Sequence, residues 1–432
     1  GDVMLSYEKE KITNLMKMLY KALRDRKKLF ADYGGDYQAY IGAGNDLAQI
    51  VVVINNYTAF TEEYEELEEA VAFLSREGVK YGIYFVITSV STSGVRFRMV
   101  QNFKQLFTLQ LNDEAEYSSI VGKTEGLFPA KYKGRGLVRL DMLYEFQIAS
   151  LTEEGVPYSF IQQYVEQQAK SWHGTKAPKV AVLPELVNEE FLQEYIVADE
   201  YQNIPVGVET NSLNISRYPF GVAYISMVAS ADDRYQEFAD DFTSMVEHCL
   251  HVNGYILDGE NTITAKVVRL KKANSKKQLD DMIEELFDMT LYRNNAYKDS
   301  LEANEEPPIF EPQLIIISSL LKIRQQLSET NVTKLNLILE KGEAKYGMHI
   351  ILMEQSKALG TMTMEPWFKS KVSQTDGIWI GAGVTDQYTL KATKQTSEMR
   401  EMIGKGYGYV FKKGKVTKIK VLRSGSGEDD DE

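Results

Sequence analysis

The sequence predicts an α/β fold of mainly parallel sheets flanked by helices, present in two copies. Three observations carry this. Four short apolar runs, Ile50–Ile54, Ile83–Ile87, Leu314–Ile317 and Met348–Leu352, show no polar alternation. Such runs mark strands buried on both faces of a helix-covered parallel sheet. Helical patterns lie between them, and strand–helix alternation is the arrangement of α/β folds. The third observation is an internal repeat. Lys80-Tyr81-Gly82-Ile83 answers Lys345-Tyr346-Gly347-Met348, and each opens a strand followed by a Ser-containing loop. Upstream, the strand ending in Asn55-Asn56 answers the strand ending in Ser318-Ser319. Downstream, Gly134-Arg135-Gly136-Leu137-Val138 answers Gly406-Tyr407-Gly408-Tyr409-Val410.

Taken in order, residues 8–31 place Ile12, Leu15, Met16, Leu19, Leu23 and Phe30 on one helical stripe. Residues 61–77 read as a second helix, with Thr61 as N-cap and acids in the first turn, where the helix dipole favours them. A polar stretch over 151–188, containing Ala177-Pro178 and Leu183-Pro184, reads as the joint between the copies. An apolar strand from Val222 to Val228 leads to a helix over Tyr235–Leu250. The first copy has far fewer residues ahead of its Ile50 strand than the second has ahead of Leu314, so it lacks its opening portion. The end, Ser424-Gly425-Ser426-Gly427 followed by five acids, has the composition of a disordered acidic tail.

Composition narrows the function. With 432 residues, 44% hydrophobic and 26% charged, the chain is globular and long enough for two or more domains. Acids outnumber bases 62 to 49, a net charge of −13 that opposes phosphate backbones and anionic lipid, so no nucleic acid partner is expected. The one cysteine, Cys249, excludes an intrachain disulfide and multi-cysteine zinc sites, and a reducing compartment is the simplest setting. No apolar run approaches the roughly 18 residues of a membrane span. Gly1-Asp2-Val3-Met4 carries no secretory signal and reads as the middle of something larger. His173, His248, His251 and His349 lack metal-ligand spacing, and no G-x-S-x-G nucleophile pattern occurs.

Nucleotide chemistry leaves traces in position but not in residue type. A strand running into two polar residues, Asn55-Asn56 or Ser318-Ser319, has the shape of a Walker B element and equally of a plain buried strand before a turn. Walker B chemistry needs an acid in the magnesium shell and an acid to polarise water. Neutral Asn is a weak magnesium ligand and no base, and Ser is further removed. A phosphate cradle of the form G-x-x-x-x-G-K-[ST] is absent. Its nearest positional candidate is the strand-to-helix turn Ala229-Ser230-Ala231-Asp232-Asp233-Arg234, whose acids repel phosphate and equally suit an ordinary helix start. Thr88-Ser89, closing the Ile83 strand, stand where a motor senses a γ-phosphate or where a hydroxyl simply satisfies a strand end. Arg135, between two glycines, suits an arginine finger or a surface turn.

The blocks Gly1-Asp2-Val3, LRDRKKLFADYGG, IVVVINNY, GVKYGIYFVITS and GRGLVRLDMLYEFQIA, in that order, resemble the FtsK/SpoIIIE-type ATPase modules of the type VII (Firmicute, type VIIb) secretion coupling ATPase. The resemblance implies tandem RecA-like P-loop modules. Residues 1–150 resemble the second module without its phosphate-loop half, 151–188 a linker, 189–423 the third module, and 424–432 the tail. It implies ATP and magnesium as the family's cofactors, small helical secreted substrates and sibling modules or subunits in a ring as partners, and the cytoplasmic face of the cell membrane as location. Carried over by position, Asn55-Asn56 and Ser318-Ser319 take the Walker B places, residues 228–235 the last Walker A place, and Arg135 the Gly-Arg-Gly turn. The missing acids, glycines and lysine point to a degenerate tandem that recognises substrates and regulates or assembles the motor. The alternatives are an active ATP-hydrolysing motor and a DNA-translocase fragment.

Overall fold

A computed structural model describes residues 1–91, 94–150, 157–401 and 403–425, so the acidic run beyond Gly425 lies outside the described residues. The chain forms two compact units, Gly1–Val182 and Leu183–Glu432.

The first unit is built on the helix Lys9–Leu29, whose Ile12, Met16, Leu19 and Leu23 are buried as the periodicity requires. Strands β1 (Ile50–Ile54) and β2 (Ile83–Ile87) pair in parallel, Ile50 opposite Ile83. A separate antiparallel sheet contains β3 (Phe107–Leu109), β4 (Arg135–Arg139) and β5 (Leu143–Gln147). Two expectations fail here. Strand β1 is covered on one face only: Val52 and Ile54 are buried, whereas Val51 and Val53 are 58% and 66% exposed. The expected helix over 61–77 is two helices, Tyr57–Glu63 and Glu68–Glu77, and Asn56, not Thr61, caps the first through Ala59 N. The break falls at Tyr64, whose ring is buried and whose hydroxyl donates to Ser6 O, a contact a continuous helix would not permit.

The stretch read as a joint carries the helix Tyr158–Ser171, none of whose residues is buried. Beyond it, the chain returns along the start of the first helix: Val180 N donates to Asp2 Oδ2 at 3.0 Å, and Asn14 Nδ2 to Ala181 O at 3.1 Å.

The second unit holds one ten-stranded sheet. Its strands are β6 (Ile204–Glu209), β7 (Ile215–Tyr218), β8 (Ile225–Ser230), β9 (Asn253–Asp258), β10 (Leu270–Ala273), β11 (Gln313–Ser318), β12 (Met348–Gln355), β13 (Gly377–Ile380), β14 (Tyr407–Lys412) and β15 (Lys415–Val421). Their spatial order is β10-β9-β11-β12-β8-β13-β14-β15-β6-β7. The six strands from β10 to β13 are parallel, and the remaining pairings are antiparallel. Every residue of β8 and β11 is buried, because helices cover both faces. Helix Arg234–Cys249 packs Phe238, Phe242 and Val246 on one face against Ile256, Ile316 and Ile351. Helices Lys276–Glu302, Glu329–Lys341 and Pro366–Lys371 pack Leu286, Leu335 and Phe368 on the other, against Ile315, Ile317 and Ile350. Each such apolar side chain contributes roughly 1.5–3 kcal/mol by burial.

The repeat is structural. Strands β1 and β2 pair in the manner of β11 and β12, and β3-β4-β5 follow the antiparallel order of β13-β14-β15. In the second unit β8 lies between the counterparts of β2 and β3, bonded to both β12 and β13. Among the described residues of the first unit no strand pairs with β2 on its outer edge, and Val51 and Val53, exposed, stand where Leu314 and Ile316 of the second unit pack with the helix Arg234–Cys249. Among the described residues, no helix is long and apolar enough to cross a membrane.

Candidate functional site

In open parallel sheets ligands bind beyond the carboxyl ends of the strands, where neighbouring crossovers depart in opposite directions. That point lies between β8 and β12. From β8 the chain runs through helix Arg234–Cys249 to β9, past β12 and β11, whereas from β12 it crosses β8 to reach β13. Within the expected Walker A place of the second unit, residues 228–235, the stretch Ser230–Arg234 borders this crevice, as does the expected Walker B place Ser318-Ser319.

The turn after β8 closes on itself. Ser230 Oγ donates to Asp232 O and accepts from Tyr235 N at 3.3 Å. Asp232 accepts from Arg234 N at 3.2 Å, and the Arg234 guanidinium folds back to it at 3.3 Å. Arg234 lies over Gly381, where φ is +81° and a Cβ would stand 2.6 Å from its Nη1, so the glycine after β13 makes room for it. Ala229 points away into the hydrophobic core. Asp233 occupies the N-cap position with no side-chain cap bond, and its carboxylate instead accepts from Gln355 Nε2 across the crevice.

Ser318 is fully buried and its hydroxyl has no hydrogen-bond partner among the described residues. Ser319 holds a left-handed backbone, φ 63° and ψ 60°. Its N–H donates to Met353 O at 3.1 Å, and its hydroxyl meets Tyr235 OH at 2.6 Å. Burial raises the Tyr235 phenol to about 12, against the opposing effect of that Ser319 contact.

Sequence reasoning missed Glu354 and Gln355 at the end of β12. Counting on from the two Lys-Tyr-Gly landmarks places Met353-Glu354 opposite Thr88-Ser89, so the repeat held the signal. Glu354 is 3% exposed and accepts from Leu321 N at 3.1 Å and Gln355 N at 3.0 Å. Burial pushes its carboxyl above the usual range, helped by the charge of Glu260 and opposed by those two N–H groups. It caps the helix after β11, which the Ser319 side chain does not. Asp258, at the end of β9, spends both oxygens on Thr262 N and Ile263 N.

Three strand ends are therefore tied together by protein groups: β8 to β12 through Asp233 and Gln355, β8 to β11 through Tyr235 and Ser319, and β12 to the helix after β11 through Glu354. The turn 230–235 holds two acids, no lysine, and a serine hydroxyl turned inward. These residues do not fit a magnesium triphosphate, which needs converging N–H groups and a free cation at this turn, where Arg234 is instead paired with Asp232, and an acid at Ser318.

In the first unit Thr88 draws the other pair together. Its hydroxyl donates to Asn55 Oδ1 at 2.8 Å and accepts from Asn56 N at 2.9 Å. Ser89 Oγ meets Thr58 Oγ1 at 3.1 Å. Arg135 opens β4 apart from this group, its guanidinium 3.9 Å from Glu145 on β5.

A scan against protein-family models finds no match. Among curated proteins, the chain is 26% identical over 227 residues to ESX secretion system protein EccC of Thermomonospora curvata, half of this chain and 17% of the relative. It is 24% identical over 221 residues to type VII secretion system protein EssC of Staphylococcus aureus, and 21% identical over 439 residues, 98% of this chain, to ESX secretion system protein YukB of Bacillus subtilis. Its relatives are type VII secretion ATPases. The chain spans 15% of the length of the S. aureus protein and 29% of that of the B. subtilis protein. Among solved structures, ATPases 2 and 3 of EssC from Geobacillus thermodenitrificans superpose with a TM-score of 0.76 at 17% identity, over 96% of this chain and 79% of that one. The cytoplasmic domain of EssC gives 0.71 over 97% and 84%. ATPases 2 and 3 of T. curvata EccC in complex with a signal sequence peptide give 0.50 at 18% identity, over 98% and 78%. The RecA-like fold expected from the type VII resemblance is thus the fold of these ATPase domains.

Proposed function

We propose that this chain is a nucleotide-silent pair of C-terminal modules in a type VII secretion coupling ATPase, acting on the cytoplasmic face of the membrane by binding proteins. Residues 1–150 are the second module without its phosphate-loop half, 151–188 the connection, and 189–423 a degenerate third module. The modules recognise small helical export substrates and contact sibling modules or subunits, and so regulate or assemble the motor. One observation carries the reading: Asp233 bonded to Gln355 spans the crevice in which a phosphate chain would lie. The complex of T. curvata EccC with a signal sequence peptide supports peptide recognition by modules of this kind.

The rival reading, an ATP-hydrolysing motor, draws on the helix Arg234–Cys249 opening at the switch point, a favoured seat for anions. The test is retention of a small helical secreted protein on immobilised chain, alongside a phosphate-release assay. The proposal expects retention that ends when the signal peptide is removed and is indifferent to ATP. Phosphate release abolished by Asn55→Ala or Asp232→Ala, or no retention at all, contradicts it.

A further inference from the structure

Three strand edges of the first unit stand open. Among the described residues, β1 and β2 pair only with each other, and β3 pairs only with β4. In the second unit one continuous piece of chain fills the same three edges. There β8 lies between β12 and β13, helix Arg234–Cys249 crosses the sheet, and β9 returns along the outer edge of β11. The repeated landmarks and the pairing registers give the correspondence residue by residue. Ile50 opposite Ile83 answers Gln313 opposite Met348, and Leu109 opposite Gly136 answers Ile380 opposite Gly408. Val51, Val53, Val86, Phe107 and Leu109 therefore stand at the places of Leu314, Ile316, Ile351, Ile378 and Ile380.

The residues of the second unit in this set are all buried, in the core that also holds Phe238, Phe242 and Val246 of the crossing helix. Their counterparts in the first unit are all exposed: Val86, Phe107 and Leu109 at 46%, 57% and 42%, with Val51 and Val53 beside them. The alternate residues Val52, Ile54, Ile83 and Phe85 are buried, so the exposure is confined to one face of β1 and β2. Exposed apolar side chains gathered on one face mark an interaction surface. The open edges are also unguarded. Strands β1, β2 and β3 contain neither charge nor proline. The outermost strands of the second sheet, β10 and β7, carry Lys271, Lys272 and Arg217. Edges that stay free in solution are blunted by such charges.

From this geometry we infer that the first unit binds a strand–helix–strand segment from outside these 432 residues. Its first strand enters between β2 and β3, parallel to both. Its helix lays an apolar stripe on Val51, Val53, Val86, Phe107 and Leu109. Its second strand adds in parallel to the outer edge of β1. Strand addition at an open edge is a recurrent recognition mode, in which backbone bonds supply affinity and alternate side chains supply selectivity. A helix joining two parallel strands of one sheet is the ordinary crossover, so a single short segment reaches all three edges. The inference rests on the reading of residues 1–150 as a module short of one part, and adds that the part is a separable partner with a preformed seat.

The probe is the second unit's own strand–helix–strand piece, Ile225–Asp258, fused to a soluble carrier and offered to the whole chain. The chain is expected to bind the fusion and not the carrier alone. Amide hydrogen exchange at the edges of Ile83–Ile87 and Phe107–Leu109 is expected to slow at least tenfold on binding. A fusion carrying F238S, F242S and V246S is expected to bind at least tenfold more weakly. The chain substitutions V53E and F107E together, both at exposed positions and so harmless to folding, are expected to cause a similar loss. No binding, binding untouched by both sets of substitutions, or binding that leaves exchange in β2 unchanged overturns the assignment. So does a sedimentation shift showing that V53E with F107E dissolves a dimer, which makes a second copy the occupant. Tighter binding of the fusion by a chain carrying I161S and Y164S makes the helix Tyr158–Ser171 the occupant and overturns it too. Retention of a secreted protein and indifference to ATP are read in separate assays, so failure here removes this surface and leaves those readings standing.

Discussion

Arg26 and Arg293 do the same work in the two units. Arg26, from the first long helix, donates to Tyr81 O at 2.8 Å, Gly82 O at 3.1 Å and Ala48 O at 2.6 Å. Arg293 donates to Tyr346 O at 2.7 Å, Gly347 O at 3.3 Å and Glu311 O at 3.0 Å. Each joins the Lys-Tyr-Gly turn to the residue two places before the partner strand, and each is 8% exposed. Burial lowers both guanidinium pKa values, so the positions hold charge at a cost that the carbonyls offset.

Replacing Arg293 by Met removes its bonds to three carbonyls, of which Gly347 O keeps Gln313 N at 2.8 Å while Glu311 O and Tyr346 O lose the guanidinium. Unpaired buried acceptors cost about 1–3 kcal/mol each before relaxation, so R293M is expected to lose about 3 kcal/mol in urea unfolding. Lys, a point donor on a flexible stem, is expected to recover less than half of this. A loss under 1 kcal/mol contradicts the bridging role.

Asn56 and Ser319 share a second constraint: both follow a strand end in left-handed backbone, φ 59° and 63°. That region costs an L-residue about 1 kcal/mol and admits Gly freely. Asn56→Gly loses only a long cap contact of 3.4 Å and is expected to stay within about 0.5 kcal/mol of the parent. Asn56→Val is expected to lose about 2 kcal/mol or more, because a β-branched residue is worst there. Equal stability of the two variants by denaturant titration counts against the conformation.

Much of this was legible in the sequence because it is local or repeated. The stripe from Ile12 to Phe30, the four core strands and the Lys-Tyr-Gly landmarks follow from period and order. What stayed hidden depends on partners distant in the chain. Nothing in the sequence sets Arg26 and Arg293 apart from other helix cations, since only folding brings Tyr81 or Tyr346 to them. Glu354 is marked only by its place in the repeat. The run Ile50–Ile54 reads as doubly buried, yet burial of Val51 and Val53 requires a neighbour that an apolar run cannot itself supply. Tyr64 broke a helix whose periodicity continues through it, because its ring has a place in the core.

The open face of β1 gives its own test. Val52→Thr places a hydroxyl in the core and is expected to lose about 1.5 kcal/mol. Val53→Thr, on the exposed face, is expected to lie within about 0.5 kcal/mol of the parent. Equal losses in thermal unfolding imply that the face is covered in solution.

Acid sensitivity is expected from His349. Burial among core strands lowers its pKa from 6.5, against the opposing bond to Ala223 O at 3.0 Å. The unfolded chain therefore binds the proton more readily, and stability rises with pH through this window. The contribution is complete above pH 6.5 and declines below it. Between pH 7.5 and 5.5 the parent is expected to lose more stability than His349→Gln by urea titration. Parallel losses in the two proteins remove His349 as the cause.

Under the proposed function, the Asp233–Gln355 and Tyr235–Ser319 contacts occupy the space that a nucleotide would need between β8 and β12. Isothermal titration of the whole chain with ATP and magnesium tests it most directly. The expected result is no binding heat at millimolar nucleotide, in the parent and in Gln355→Ala alike. Saturable binding that Asp233→Lys strengthens and Ser319→Ala weakens would contradict the claim and return the crevice to nucleotide chemistry.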